Sequence, residues 1–188
     1  MTAGELFREL APRVGPALER EFKGRRDLCI LATAIATDVA DYFGIRVTAV
    51  PVQAMVYNDA WIERVQAGLA PEGRAWAIGI GYDPDDPHRA AGVLATQPNR
   101  WCGHLVAVAD GYLGDFSIKQ AERPDRDLLT GWAVVSPVPD SLCWNFRSED
   151  GTYIEYRRIE STVWRRSPDW RGHSRRRHIV GRLIREVR

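Results

Sequence analysis

Apolar residues recur at Leu6, Phe7, Leu10, Val14, Leu18 and Phe22 along the start of the chain. That three-to-four spacing predicts an amphipathic helix over residues 3–22, with a break at Gly15-Pro16. Gly24 closes the segment. A second stripe, Leu28, Leu31, Ala32, Ile35, Val39 and Tyr42, predicts a helix of about residues 28–43. Asp27 is its expected N-cap and Gly44 its C′ residue. From Ile45 the pattern turns to alternation. IRVTAVPVQAMVYN is rich in β-branched residues and reads as a strand that ends at Asn58-Asp59. Residues 60–69 read as a short helix, 74–82 as a strand and 83–89 as a loop. A hairpin is expected over 104–118, and further strands at 131–138 and 151–160. One helical layer followed by mostly antiparallel strands defines an α+β class.

Composition narrows the function classes. The chain has 188 residues, 45% of them hydrophobic and 27% charged, which is ordinary globular composition with enough length for a sizeable core. No apolar run approaches 18 residues, and the first residues lack the basic-then-apolar order of a secretory signal. A membrane role is therefore not expected. The cysteines, at 29, 102 and 143, are odd in number and match no zinc spacing. A reducing, cytoplasmic setting is expected.

The net charge of +1 conceals a division. Residues 165–188 hold nine Arg against one Asp and one Glu, net +7, so the body carries −6. Within this segment Ile179, Val180, Leu183, Ile184 and Val187 have helical spacing. The expectation is a body of residues 1–164 and an Arg-rich segment, 165–188, that docks on it as a helix. Arg175, Arg176 and Arg177, with His173 and His178, form a basic cluster suited to a polyanion. That gives a second functional reading, a non-catalytic binding module.

Candidate chemistry gathers at three residues. Cys29 lies two residues beyond the expected cap, in the first helical turn, where free amides and the helix dipole favour a thiolate. Arg25 and Arg26 are close in sequence. His104 and Asp115 lie on the expected hairpin. With Asp110-Gly111 as a two-residue turn, Ala109 faces Tyr112 and Val106 faces Asp115. His104 and Asp115 then share a face as diagonal neighbours, about 7–8 Å apart at the backbone. A carboxylate on an imidazole fixes its tautomer, as a nucleophile's base requires. A one-residue slip would send Asp115 to the other face.

Other candidates are weaker. Cys102 would be a strand-borne nucleophile without helix-end activation, and Cys143 is expected to be packed. His88 sits in an acidic, proline-rich loop. Asp83, Asp85 and Asp86 lack the later ligands of a calcium loop. Trp101 is a candidate wall for a site at His104. GIGY at 79–82 is too short to be a phosphate loop.

Taken together, a helix-start Cys, then strands, then a hairpin carrying His and Asp resembles the papain-like and transglutaminase-like cysteine hydrolase superfamily over about residues 20–120. The resemblance implies a helix on an antiparallel sheet, with Cys29 as nucleophile, His104 as base and then acid, and Asp115 as orienting carboxylate. It implies hydrolysis of a peptide or isopeptide amide through an acyl-enzyme, with acyl transfer as the alternative. The partner would be a peptide or protein substrate, or a small acyl donor. No metal or organic cofactor is implied. The chain departs from papain-type enzymes in having no Gln in EFKGRRD before the Cys, and Ile30 rather than an aromatic residue after it. The oxyanion hole would use the Cys29 amide and one further donor.

Overall fold

A computed structural model describes residues 1–25, 27–81, 103–148 and 151–188. The element order is α1 (Ala3–Glu21), α2 (Cys29–Tyr42), β1 (Thr48–Tyr57), α3 (Asp59–Gln66), β2 (Ala77–Ile80), β3 (His104–Ala109), β4 (Tyr112–Asp115), β5 (Val134–Pro137), β6 (Cys143–Arg147), β7 (Tyr153–Arg158), α4 (Pro168–Arg171) and α5 (His173–Val187). The architecture is α+β: an antiparallel sheet in the order β5-β4-β3-β1-β7-β6, with helices packed against it.

The expected break in the first helix does not occur. α1 runs unbroken through Pro12 and Pro16. An interior proline costs roughly 3 kcal/mol through its missing N–H and ring clash. Here Leu6, Phe7, Leu10 and Val14 are all at 0% exposure, with Ala17 and Leu18 close behind. Each fully buried large apolar side chain contributes about 1.5–3 kcal/mol, so the packed face outweighs both prolines. A Thr2–Glu5 capping box closes the helix start.

α2 is the central helix and is apolar nearly all round. Every residue from Cys29 to Ala36 is buried, as expected of a helix enclosed by other elements. α1 and α5 pack on it, and β3 supports it from the sheet. Thr33 Oγ1 donates to the Leu105 carbonyl at 2.8 Å, which fastens α2 to β3 beyond the last paired residues of the β3–β4 ladder.

β1 organises the sheet. One edge pairs with β7 from Val52 to Tyr57. The other edge is shared: β3 takes Thr48–Val52 and β2 takes Ala54–Tyr57. β2 and β3 therefore lie end to end along β1. Gly81 and Gly103, just beyond their facing ends, come so close that a Cβ on Gly81 would stand 3.3 Å from the Gly103 Cα. Side chains alternate between two faces. Ala107 and Ala109 of β3 join the helical core with Phe7, Leu31 and Ile35. Val106, with Val52 and Ala54 of β1 and Tyr156 of β7, joins a second core on the other face.

Residues 165–188 form no separate body. α5 buries Ile179 and Leu183 against α1 and α2. Arg176 is buried too. Its Nε and Nη2 pair with the Asp38 carboxylate at 2.7 and 3.2 Å, and its Nη1 donates to the Asp169 and Trp170 carbonyls. The expected cluster of three surface arginines is therefore reduced to Arg175 and Arg177, which are exposed. The helical register turns Arg176 inward, beside Ile179 and Leu183 at i+3 and i+7. None of the described helices is long and apolar enough to cross a membrane.

Candidate active site

The β3–β4 hairpin is built by its turn. Asp110 and Gly111 both adopt positive φ, 47° and 74°. This is the left-handed pair that a two-residue hairpin turn needs to match strand twist. The register that follows pairs Ala109 with Tyr112, Val108 with Leu113 and Ala107 with Gly114. The even count places His104 and Asp115 on one face, and the His104 Nε2 to Asp115 Oδ2 distance is 2.6 Å. Both side chains are buried, His104 at 2% exposure and Asp115 at 0%.

The Asp115 carboxylate has all its acceptor sites engaged. Oδ1 accepts from the Ser117 backbone N–H at 2.9 Å and from Ser117 Oγ at 3.1 Å. Oδ2 accepts from His104 and from the Tyr156 hydroxyl at 2.7 Å. The Tyr156 ring also lies nearly parallel to the imidazole, with centroids 6.2 Å apart. Tyr156 reaches the site because β7 pairs with β1 so that Ala54 faces Tyr156, while Val52 on the same face of β1 lies opposite His104.

Cys29 opens α2 and is buried. Its Sγ lies 3.8 Å from the Gly103 carbonyl oxygen, immediately before His104. Asp27 does not cap the helix. Its carboxylate pairs with Arg25 at 2.8 Å, and Leu28 takes the N-cap position. The Leu28 amide is met instead by Gln120 Oε1 at 3.1 Å, from the 3-10 turn that follows β4. Arg25 is committed to Asp27 and Asp169, so its charge is directed at carboxylates rather than at the thiol.

The electrostatics follow from burial and pairing. Burial by itself favours a neutral His104. The Asp115 charge and hydrogen bond, helped by the Cys29 thiol, outweigh it and raise the ring to about 10. Burial likewise opposes an ionised Asp115, but the His104 charge and the bonds from His104, Tyr156 and Ser117 hold its pKa below the usual value. Burial and the Asp115 charge push the Tyr156 phenol well above its ordinary range, so it stays a donor. With Nε2 on Asp115, the ring's Nδ1 is the nitrogen left for Cys29.

The structure thus brings His104 and Asp115 into contact and sets Cys29 at the same end of β3. Cys143, expected to be packed, is exposed on β6. Trp144 is buried and Phe146 half-buried on the inner face of this strand, so alternation turns Cys143 outward with Asn145 and Arg147. Arg26, Asp83, Asp85, Asp86, His88, Trp101 and Cys102 lie outside the described residues. Three contributors are not evident in the sequence pattern: Ser117, Gln120 and Tyr156. Ser117 has a local signal, since a serine two residues after an aspartate is a common turn partner. Tyr156, on a strand 41 residues beyond Asp115, has none. Beside Leu28 a cavity of about 280 Å3 opens between α1, the start of α2 and the segment after β4, with Leu18, Phe22, Phe116, Gln120 and Trp132 among its walls. Comparison with family models, curated proteins and solved structures finds no match to this chain.

Proposed function

We propose that the protein is a papain-like thiol hydrolase acting on an amide bond through Cys29, His104 and Asp115. The observation that carries this reading is the buried, hydrogen-bonded His104–Asp115 pair at the end of β3 where the Cys29 sulfur meets Gly103. In the proposed reaction the Cys29 proton rests on His104 Nδ1, as the raised pKa of the ring favours, and the thiolate of this ion pair attacks the acyl carbonyl. The tetrahedral oxyanion is met by free amides of the first turn of α2. The imidazolium then returns its proton to the leaving amine, the C–N bond breaks, and a thioester to Cys29 remains. Water, deprotonated by His104, releases the acid. An amine in place of water gives acyl transfer. Asp115 keeps the ring proton on Nε2 and stabilises the imidazolium.

Generic thiol reagents test the proposal without the natural substrate. Iodoacetamide near neutral pH is expected to alkylate Cys29 ahead of Cys102 and Cys143, and His104→Ala to slow that labelling. p-Nitrophenyl acetate is expected to leave an acetyl group on Cys29 that mass spectrometry detects and Cys29→Ala abolishes. Equal labelling of all three cysteines, indifferent to His104→Ala, would sink the proposal. Competition between water and added amine for the acetyl-enzyme separates hydrolysis from transfer.

A further inference from the structure

Tyr156 is fully buried within the second core, its ring edge-on to Phe146 at 5.7 Å. For packing, a phenylalanine would serve as well. A buried hydroxyl is costly unless bonded, and among the described residues this one has a single partner, Asp115 Oδ2. That oxygen is the one His104 uses. Ser117 meanwhile occupies Oδ1 twice. An ionised carboxylate offers about four lone-pair sites, and here all four are taken. The group cannot turn about its Cβ–Cγ bond without breaking a bond, and no site is left for water.

We propose that Tyr156 is a positioning residue of this site: by sharing Oδ2 it fixes the Asp115 carboxylate in place and limits how tightly that carboxylate holds the ring proton of His104. The proposal rests on the reading of His104 as the base. A base that must later act as acid has to be held firmly in orientation but not too strongly in charge. With the hydroxyl gone, the electron density of Oδ2 is left to His104 alone, and the imidazolium is favoured further. The titratable groups that face the carboxylate are His104 from β3 and Tyr156 from β7, with Cys29 of α2 on the far side of the ring. Ser117, from the turn after β4, is neutral.

The experiment is an NMR titration of 15N-histidine-labelled protein, with the His104 ring signal identified by its absence from His104→Ala. In Tyr156→Phe the hydrogen-bonded ring N–H is expected to move downfield, and the ring's titration midpoint to rise by roughly half to one pH unit. Site-specific 3-fluorotyrosine at position 156, a stronger donor of nearly the same shape, is expected to move the midpoint down, and it keeps the test open if the phenylalanine variant folds poorly. A His104 signal and midpoint unchanged in both variants would overturn the proposal and leave Tyr156 a packing residue. Failure of the hydrolase reading shows separately, as Cys29 alkylation that ignores His104→Ala.

Discussion

Asp115→Asn replaces a four-acceptor group with one that accepts on one side only. The carboxylate takes Ser117 N–H and Oγ–H on Oδ1, and His104 Nε2 and the Tyr156 hydroxyl on Oδ2. The fixed Ser117 N–H keeps the amide oxygen on its side, because the alternative sets two N–H donors against each other. The amide NH2 then faces His104 Nε2, which must become an acceptor, and the ring proton moves to Nδ1. A ring protonated at Nδ1 cannot take the Cys29 proton. The same change of tautomer in a Ser-His-Asp protease costs roughly ten-thousand-fold in rate, about 5.4 kcal/mol of barrier. Removing one partner of a buried ion pair costs about 3–5 kcal/mol of stability; the hydroxyl of Tyr156 can rotate to accept, which places the expected loss near the lower figure. The assay is the second-order rate of Cys29 acetylation by p-nitrophenyl acetate, read by mass spectrometry, beside a thermal melt of the same sample. A folded Asp115→Asn protein that acetylates within about tenfold of wild type would refute the tautomer argument.

Further outcomes follow from other contacts. The folded-state pKa of His104 is raised, so its contribution to stability is complete below the unfolded value of about 6.5 and is lost as pH climbs toward 10. That of Asp115 is lowered, so its contribution is present above about 3.9 and is lost on acidification below that value. Urea midpoints measured across pH should therefore be highest between these limits and fall above pH 7, and Asp115→Asn should flatten the alkaline decline. Arg176→Leu leaves the partly buried Asp38 with His173 at 3.4 Å in place of its arginine and takes the donor from two carbonyls, with an expected loss of about 3 kcal/mol and a melting midpoint roughly 6–12 °C lower; addition of Asp38→Leu should recover much of it. Thr33→Val leaves the Leu105 carbonyl without its donor, and chemical denaturation should register a loss of about 1–3 kcal/mol.

The legible parts were those written in short-range pattern. The Asp110-Gly111 turn is a two-residue signal whose backbone preference fixes the register of β3 on β4, so the shared face of His104 and Asp115 could be read from local sequence. The stripe of α2 similarly placed Cys29 in a first helical turn. Local rules failed where tertiary burial opposed them. Gly15-Pro16 signals a break, but the packed face of α1 overrides the signal. Asp27 has the chemistry of a cap, but Arg25 draws its carboxylate away, and Gln120 meets the helix start from 92 residues further along. The Arg-rich end was expected to dock as a helix, but which arginine that docking buries was not: Arg176 turns onto Asp38, while Arg175 and Arg177 stay exposed.

By itself, then, the sequence determined which side chains could do chemistry and how two of them share a face, because turn geometry and strand alternation act over a few residues. The tertiary structure decided what surrounds them. Tyr156 closes on Asp115 only because β1 lies between β3 and β7 and aligns Val52 with His104 and Ala54 with Tyr156. A partner set by strand order leaves no trace in local periodicity, since the pairing energy that selects it comes from residues distant along the chain.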